Sequence, residues 1–154
     1  MIVKELTESE CLAALTKSSL GRLATARDGQ PYIVPFHFVF DGQSLLYAFS
    51  TLGQKIEWMR LNPLVCVEVE EAVDQFEWTS LIIFGRYEEL PDTFEFAAER
   101  KHAHALISSY PMWWQPAIAS GGLRSQMATE TPIYFRIHIA SITGRHAAAT
   151  EPDR

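Results

Sequence analysis

Two hydroxyls, a glycine and a lysine stand together in the stretch FSTLGQK, where Ser50, Thr51, Gly53 and Lys55 separate an apolar run from a short amphipathic one. The apolar run, Leu45 to Phe49, predicts a strand. The residues after Gly53 predict a helix that must end at Asn62-Pro63, because proline cannot continue a helix and biases the residue before it away from helical angles. The first turn of a helix carries amide N–H groups without intrahelical partners and a partial positive charge. Two hydroxyls just before such a turn and an ammonium just inside it are the chemistry of a pocket for one phosphate group. A plainer reading is equally open, in which Ser50 or Thr51 caps the helix and the Lys55 ammonium stays in water.

A second informative stretch is YIVPFHFVF. Read as a strand, one side carries Tyr32, Val34, Phe36, Phe38 and Phe40, and the other carries Ile33, Pro35, His37 and Val39. A strand with one wet face alternates with polar residues, so both faces here are expected to be covered, as in a barrel wall that also meets another subunit or a flat ligand. Pro35 has no amide proton, so the strand is an edge there or breaks its pairing, leaving backbone groups free beside His37, its one histidine. His102 and His104 form an HxH pair, but helical residues two apart diverge and no acidic or cysteine partner is suitably spaced, so no metal site is expected.

These groups need a scaffold, and its elements are legible along the chain. Thr7 and Glu10 have the spacing of a capping box that opens a short helix. Strands are expected at Gly21–Ala26, Pro31–Phe40, Leu45–Phe49, Leu64–Glu70, Leu81–Glu88 and Ile133–Gly144, with Asp28-Gly29 and Asp41-Gly42 as hairpin turns. Gly85 marks a bend or a close approach inside its strand. Asp92 and Glu95 predict a second capping box and a helix running to Ser108, followed by a loop from Tyr110 to Gln126. The result is a mainly β protein with peripheral helices, six antiparallel strands forming a small, partly closed barrel. Residues 1–146 make one domain, and the tail from Ala147 to Arg154 is expected to fray.

Composition narrows the function. At 154 residues with a formal charge of −6, the chain lacks the concentrated cationic surface that phosphate backbones require, so no nucleic-acid partner is expected. No apolar run approaches the roughly 20 residues of a membrane helix. Met1 to Leu15 is interrupted by Lys4, Glu5, Glu8 and Glu10, unlike a signal peptide. Cys11 and Cys66 lack the spacing of a metal knuckle or a CxxC pair, and a soluble, reducing, cytoplasmic setting is expected.

With the elements in this order, the chain resembles the FMN-binding split-barrel superfamily, and within it the pyridoxamine 5′-phosphate oxidase-like proteins of the nitroimidazole-resistance (5-nitroimidazole reductase) type. The resemblance is carried by GRLAT (Gly21–Thr25), YIVPFHFVFDG (Tyr32–Gly42), the run from Leu45 to Val69, IIFGRYEEL (Ile82–Leu90) and RIHIASITGR (Arg136–Arg145). It implies a homodimer with FMN in clefts between the protomers and a small-molecule substrate. It places Val34, Pro35, Phe36 and His37 along the flavin ring and Ser50, Thr51 and Lys55 at the flavin phosphate, where the residues alone already pointed to an anion. Trp78 and Ser80 are implied to reach the flavin from the partner chain. Flavins carry redox chemistry that the protein positions, so His37 becomes the candidate catalytic proton donor or substrate-positioning group, its plainer role being a packed histidine bonded to a backbone carbonyl. Trp113 and Trp114 are candidates for a wall or lid over a flat substrate, with loop anchoring as the alternative.

The departures from the family carry information too. A true pyridoxamine phosphate oxidase has an arginine-rich C-terminal substrate segment, whereas this chain ends in RHAAATEPDR, with Arg145 and Arg154 alone. Tyr32 stands where those oxidases carry a phosphate-binding arginine. Oxidation of pyridoxamine phosphate is therefore not expected. The expected function is FMN-dependent reduction of a planar electron-poor compound, a nitroaromatic or a quinone, by a nicotinamide donor. Alternatives are a non-catalytic flavin carrier or redox sensor, haem binding through His37, His138 or His146, and a deazaflavin-dependent reductase, for whose charged tail this acidic chain offers little.

Overall fold

The computed structural model describes residues 1–110 and 131–150. Eight strands are present among them: β1 (Ile2–Glu5), β2 (Leu20–Arg27), β3 (Gln30–His37), β4 (Val39–Phe40), β5 (Leu45–Ser50), β6 (Leu64–Ala72), β7 (Trp78–Leu90) and β8 (Ile133–Ala148). Three α-helices accompany them, α1 (Glu8–Thr16), α2 (Gln54–Leu61) and α3 (Ala97–Ser108). All strand pairs are antiparallel, in the order β3-β2-β6-β7-β8-β5-β4, with β1 added to β8.

Local sequence explains the tight connections. Asp28 and Gly29 both take left-handed angles, φ 50° and 77°, the geometry that lets a two-residue turn match the twist of β2 and β3. Asp41 Oδ1 accepts from the amides of Gln43, Ser44 and Leu45 at 2.8, 2.9 and 3.0 Å, so one carboxylate orders the turn into β5. At α1, Glu10 N donates to Thr7 Oγ1 at 3.2 Å and Thr7 N to Glu10 Oε2 at 2.8 Å, the reciprocal capping box that the spacing predicts.

The barrel closes through one residue. β3 and β4 lie at opposite ends of the strand order, yet only Phe38 separates them in sequence. Phe38 is wholly buried, and its amide donates to Ser19 O at 3.0 Å. The chain thus steps from one sheet edge to the other there, and the two edges are brought together as a split barrel. The interior is one apolar cluster that includes Leu23, Phe36, Phe38, Leu46, Val67, Ile83, Phe135 and Ile137. A smaller cluster of Val39, Tyr47, Leu90, Ala103 and Ile107 fixes α3 to the outside of β4, β5 and β7.

The structure has eight strands where the pattern predicts six. The long second strand is divided at Phe38, and β1 is additional, because four residues paired only to the end of β8 leave no periodic signal of their own. The tail expected to fray from Ala147 instead continues β8 to Ala148. Ala147 is fully buried, with Val3 opposite it on one side and Trp78 on the other. The second capping box does not form. Residues 94–96 make a 3-10 turn without a side-chain cap before α3, and the Asp92 carboxylate lies 3.8 Å from Arg100 Nε. Gly85 is the close approach expected, since a Cβ there would stand 2.6 Å from Ile137 Cγ2 and 2.7 Å from His138 O, and the β7–β8 register shifts at this point. Among the described residues, no helix is long and apolar enough to cross a membrane.

Candidate functional site

α2 is held against the β2–β3 hairpin, and this brings the two informative stretches of sequence together. Ile56 and Met59 are buried in the core, and the Trp58 ring lies 5.4 Å from the Tyr32 ring on β3. At the far end of the helix, Asn62 Nδ2 donates to Ala26 O at 3.0 Å. The Arg60 guanidinium grips Glu89 of β7 with bonds of 2.8 and 3.2 Å, and Tyr87 Oη donates to the same carboxylate at 2.7 Å. The helix that carries Lys55 is therefore held along its buried side and at its C-terminal end, with Trp58 against Tyr32 of the strand that also carries Val34, Pro35, Phe36 and His37.

The Glu89 anchor makes this arrangement acid-sensitive. Burial alone would raise its carboxyl, but hydrogen bonds from Arg60 and Tyr87 outweigh that and hold it below the ordinary glutamate range. A carboxyl depressed by folding contributes stability that is present above its unfolded pKa and lost as pH falls through its folded one. Urea midpoints should therefore decline as pH drops through and below the ordinary glutamate range. Glu89→Gln should flatten part of that decline, and an unchanged pH profile would contradict the assignment.

The start of α2 has the chemical parts that an anion would engage. Gly53 is the N-cap and no described side chain caps the first turn, so the plainer reading of Ser50 or Thr51 as the cap does not hold. Ser50 Oγ donates instead to Thr51 O at 2.9 Å. Lys55 is half-buried and has no ion pair or side-chain hydrogen bond with any described residue; burial pushes its ammonium below the usual lysine value. A cation moved out of water without a counter-charge is costly. A phosphate group would supply that charge, and the free amides of the first turn would add donors.

Among the described strands β3 is an edge, paired only to β2, and its register runs unbroken through the Pro35–Arg22 pair. Proline is tolerated because its missing donor faces away from a ladder. Tyr32, Val34 and Phe36 turn inward, whereas Ile33 is 59% exposed and Pro35 is exposed. Within a single chain, the second face of this strand is thus uncovered. His37 is partly buried, and burial shifts its imidazole towards the neutral form although a hydrogen bond with the Ser19 backbone opposes this. That bond is the plainer role considered for it.

Trp78 and Ser80 lie at the start of β7, across the sheet from β3, and line a separate groove of about 580 Å³ with Thr143, Arg145 and Glu5. The Glu5 and Arg145 contributions carry no local sequence signal, because they depend on the pairing of β1 with β8. Trp113 and Trp114 lie outside the described residues. His102 meets the Tyr47 ring edge-on at 5.5 Å, while His104 Nδ1 lies 2.8 Å from Tyr134 Oη, so the HxH pair addresses two different partners. Among the other histidines, His138 Nε2 is 3.0 Å from Glu88 Oε1 and His146 Nδ1 is 2.9 Å from Thr79 Oγ1.

Comparison with known proteins agrees with this architecture. A family model described as pyridoxamine 5′-phosphate oxidase matches residues 7–146. A protein of Rhizobium meliloti (strain 1021), named only as uncharacterized, is 39% identical over 155 residues, covering 98% of this chain and 99% of that one. The crystal structure of a FAD-binding protein from Mesorhizobium loti is 42% identical with a TM-score of 0.78, covering 96% of this chain and all of that one, 100%. A putative pyridoxamine 5′-phosphate oxidase from Corynebacterium glutamicum is 27% identical with a TM-score of 0.73, covering 97% of this chain and 96% of that one. With a whole-length relative, a near-complete family match and the same split barrel, the chain belongs to the pyridoxamine 5′-phosphate oxidase family.

Proposed function

We propose that this protein is a flavin-dependent oxidoreductase of the nitroimidazole-resistance type, acting as a homodimer on small planar electron-poor compounds such as nitroaromatics or quinones. The observation that carries the reading is the half-buried ammonium of Lys55, without a counter-charge among the described residues, at the first turn of α2, a helix whose Trp58 packs against Tyr32 of β3. A flavin has the matching parts, a 5′-phosphate and a flat ring with a polar edge. FMN and FAD share both, and the Mesorhizobium loti relative at 42% identity is a FAD-binding protein. The dimer is supported by an apolar row across the outer sheet face, where Ile33, Ala24, Cys66 and Phe84 are register partners on β3, β2, β6 and β7. Ile33 and Phe84 are 59% and 58% exposed in the single chain, a surface that a second copy would cover.

Bound flavin supplies the electron transfer from a nicotinamide donor to the acceptor. The chain's own residues bind and orient it. Lys55 and the first-turn amides of α2 hold the phosphate, with Thr51 as a hydroxyl donor and Ser50 joining it on exchanging its bond to Thr51 O for one to the phosphate. The backbone of Val34 to His37 orients the ring, and the outer residues of β3 exclude water from it. His37, shifted by burial towards its neutral form and bonded to the Ser19 backbone, holds an imidazole beside the ring where an acceptor would dock. Tyr32 in place of an arginine leaves no cation at the start of β3 for a substrate phosphate, so pyridoxamine phosphate is not the substrate.

The test is an absorbance spectrum of the purified protein, repeated after adding FMN or FAD and desalting, then with NADH or NADPH and a nitroaromatic or quinone. Flavin bands that survive desalting and bleach with a donor are expected. A colourless protein that retains neither flavin, or a haem Soret band, would overturn the proposal. One observation favours a second reading, a flavin carrier without turnover. His37, the one imidazole on β3, is already engaged with backbone, and flavin that is bound but never reduced would establish that reading.

A further inference from the structure

The groove beside Trp78 carries chemistry that the flavin ring and its phosphate do not use. Its floor is the outer face of β7 and β8, where Ser80 stands opposite Arg145 and Ile82 opposite Thr143. β1 forms one wall, with Glu5 opposite Arg145 and Leu6 N donating to Gly144 O at 2.9 Å. Trp78, half-buried, sits in the row above, and its direct register partners on both neighbouring strands are small residues, Ala72 and Ala147. Arg145 is exposed and makes no ion pair or hydrogen bond with any described residue, although Glu5 lies directly across from it. The hydroxyls of Ser80 and Thr143 stand in the rows between the aromatic face and the outer strand pairs.

An indole lining the groove, a guanidinium without a partner among the described residues and flanking hydroxyls are the parts that a purine nucleotide engages, the base stacking and the phosphate pairing with arginine. Trp78 and Arg145 are diagonal cross-strand neighbours, a relation that separates their Cβ atoms by roughly 7–8 Å. That is comparable with the reach from a purine to its 5′-phosphate, and Glu5 offers an acceptor for ribose hydroxyls. The volume of about 580 Å³ lies within the range of small-molecule sites and exceeds the needs of an isolated phosphate.

We propose that this groove is an adenylate subsite, holding the adenosine-phosphate end of a dinucleotide flavin whose ring and inner phosphate occupy β3 and α2 of a second copy. It rests on the flavin assignment above. On this reading the physiological cofactor is FAD, and a protomer in the dimer contributes to two flavins, one through Lys55 and one through Arg145.

The experiment compares FAD and FMN affinities, by titration calorimetry at fixed ionic strength, for the intact protein, Arg145→Gln and Arg145→Lys. The intact protein should prefer FAD, and Arg145→Gln should lose FAD affinity about tenfold or more while FMN affinity stays within about twofold, because only FAD carries the second phosphate. Arg145→Lys should recover part of the loss. Retained FMN binding shows that the variant is folded. Equal affinities for FAD and FMN in the intact protein, or equal losses for both in Arg145→Gln, would overturn the subsite while leaving the flavin assignment standing. A loss of NADPH affinity with FAD affinity intact would also overturn it, moving the groove to the electron donor. Failure of the intact protein to bind either flavin would overturn both proposals together.

Discussion

Phe38→Ala is expected to destabilise the fold by about 3–5 kcal/mol, the range for removing a buried phenyl ring from a close-packed core. Phe38 is 0% exposed, and its ring centroid lies 5.4 Å from that of Phe36 in the main cluster. Space for the ring is built into the opposite strand, since a Cβ at Gly21 would lie 3.3 Å from Phe38 Cε1 and 2.8 Å from Glu68 O. Neither neighbour can collapse readily into the void, because one is backbone and the other belongs to the β2–β6 ladder. Phe38 also joins β3 to β4, so the cavity would form where the barrel is closed and would loosen the strand proposed to carry the flavin. Typical domains have only about 5–15 kcal/mol of net stability. The urea midpoint should fall sharply at an unchanged slope, measured at several protein concentrations because a dimer couples stability to concentration. A loss below about 1 kcal/mol would mean that the joint is not a core position.

The joint also shows why part of the fold escapes the sequence. The run YIVPFHFVF alternates apolar residues on both sides throughout, so nothing in its pattern marks the step at Phe38. That step is imposed by closure, with Ser19 accepting the Phe38 amide that would otherwise belong to a ladder. Features set by short-range chemistry were legible instead. The two Asp-Gly turns, the Thr7–Glu10 box and the limits of α2 at Gly53 and Asn62 all follow from residues a few positions apart. The start of α3 was not, because Arg100 competes for Asp92, and Thr93 N bonds back to Pro91 O at 2.8 Å. The candidate site divides along the same line. The Ser50–Lys55 segment is local and could be proposed from its spacing. Its nearness to β3 rests on the Tyr32–Trp58 contact, and the groove of Trp78 and Arg145 rests on strand pairings between distant parts of the chain.

Lys55→Ala is expected to weaken flavin binding roughly 10- to 100-fold, the worth of a charge-assisted hydrogen bond to a phosphate of about 1.5–3 kcal/mol. The same substitution should leave the stability of the flavin-free protein unchanged or slightly raised. Burial lowers the Lys55 pKa, which means that folding opposes its charged form, and nothing among the described residues repays that cost. Removing the ammonium removes the opposition. A lysine whose folded pKa lies below its unfolded one subtracts stability at low pH, and that deficit disappears as pH rises through the unfolded value. Lys55→Met, which keeps an apolar stem of similar length, should therefore unfold no earlier than the parent near neutral pH while binding flavin as poorly as Lys55→Ala. Affinity in the parent should itself fall as pH rises through the depressed lysine pKa, and this dependence should vanish in Lys55→Met. Paired urea melts and flavin titrations across that pH range measure both effects. Loss of affinity accompanied by an equal loss of stability would mark Lys55 as a packing residue. Loss of affinity at constant or greater stability is the signature of a charge kept for its ligand, and it would place the flavin phosphate at the first turn of α2.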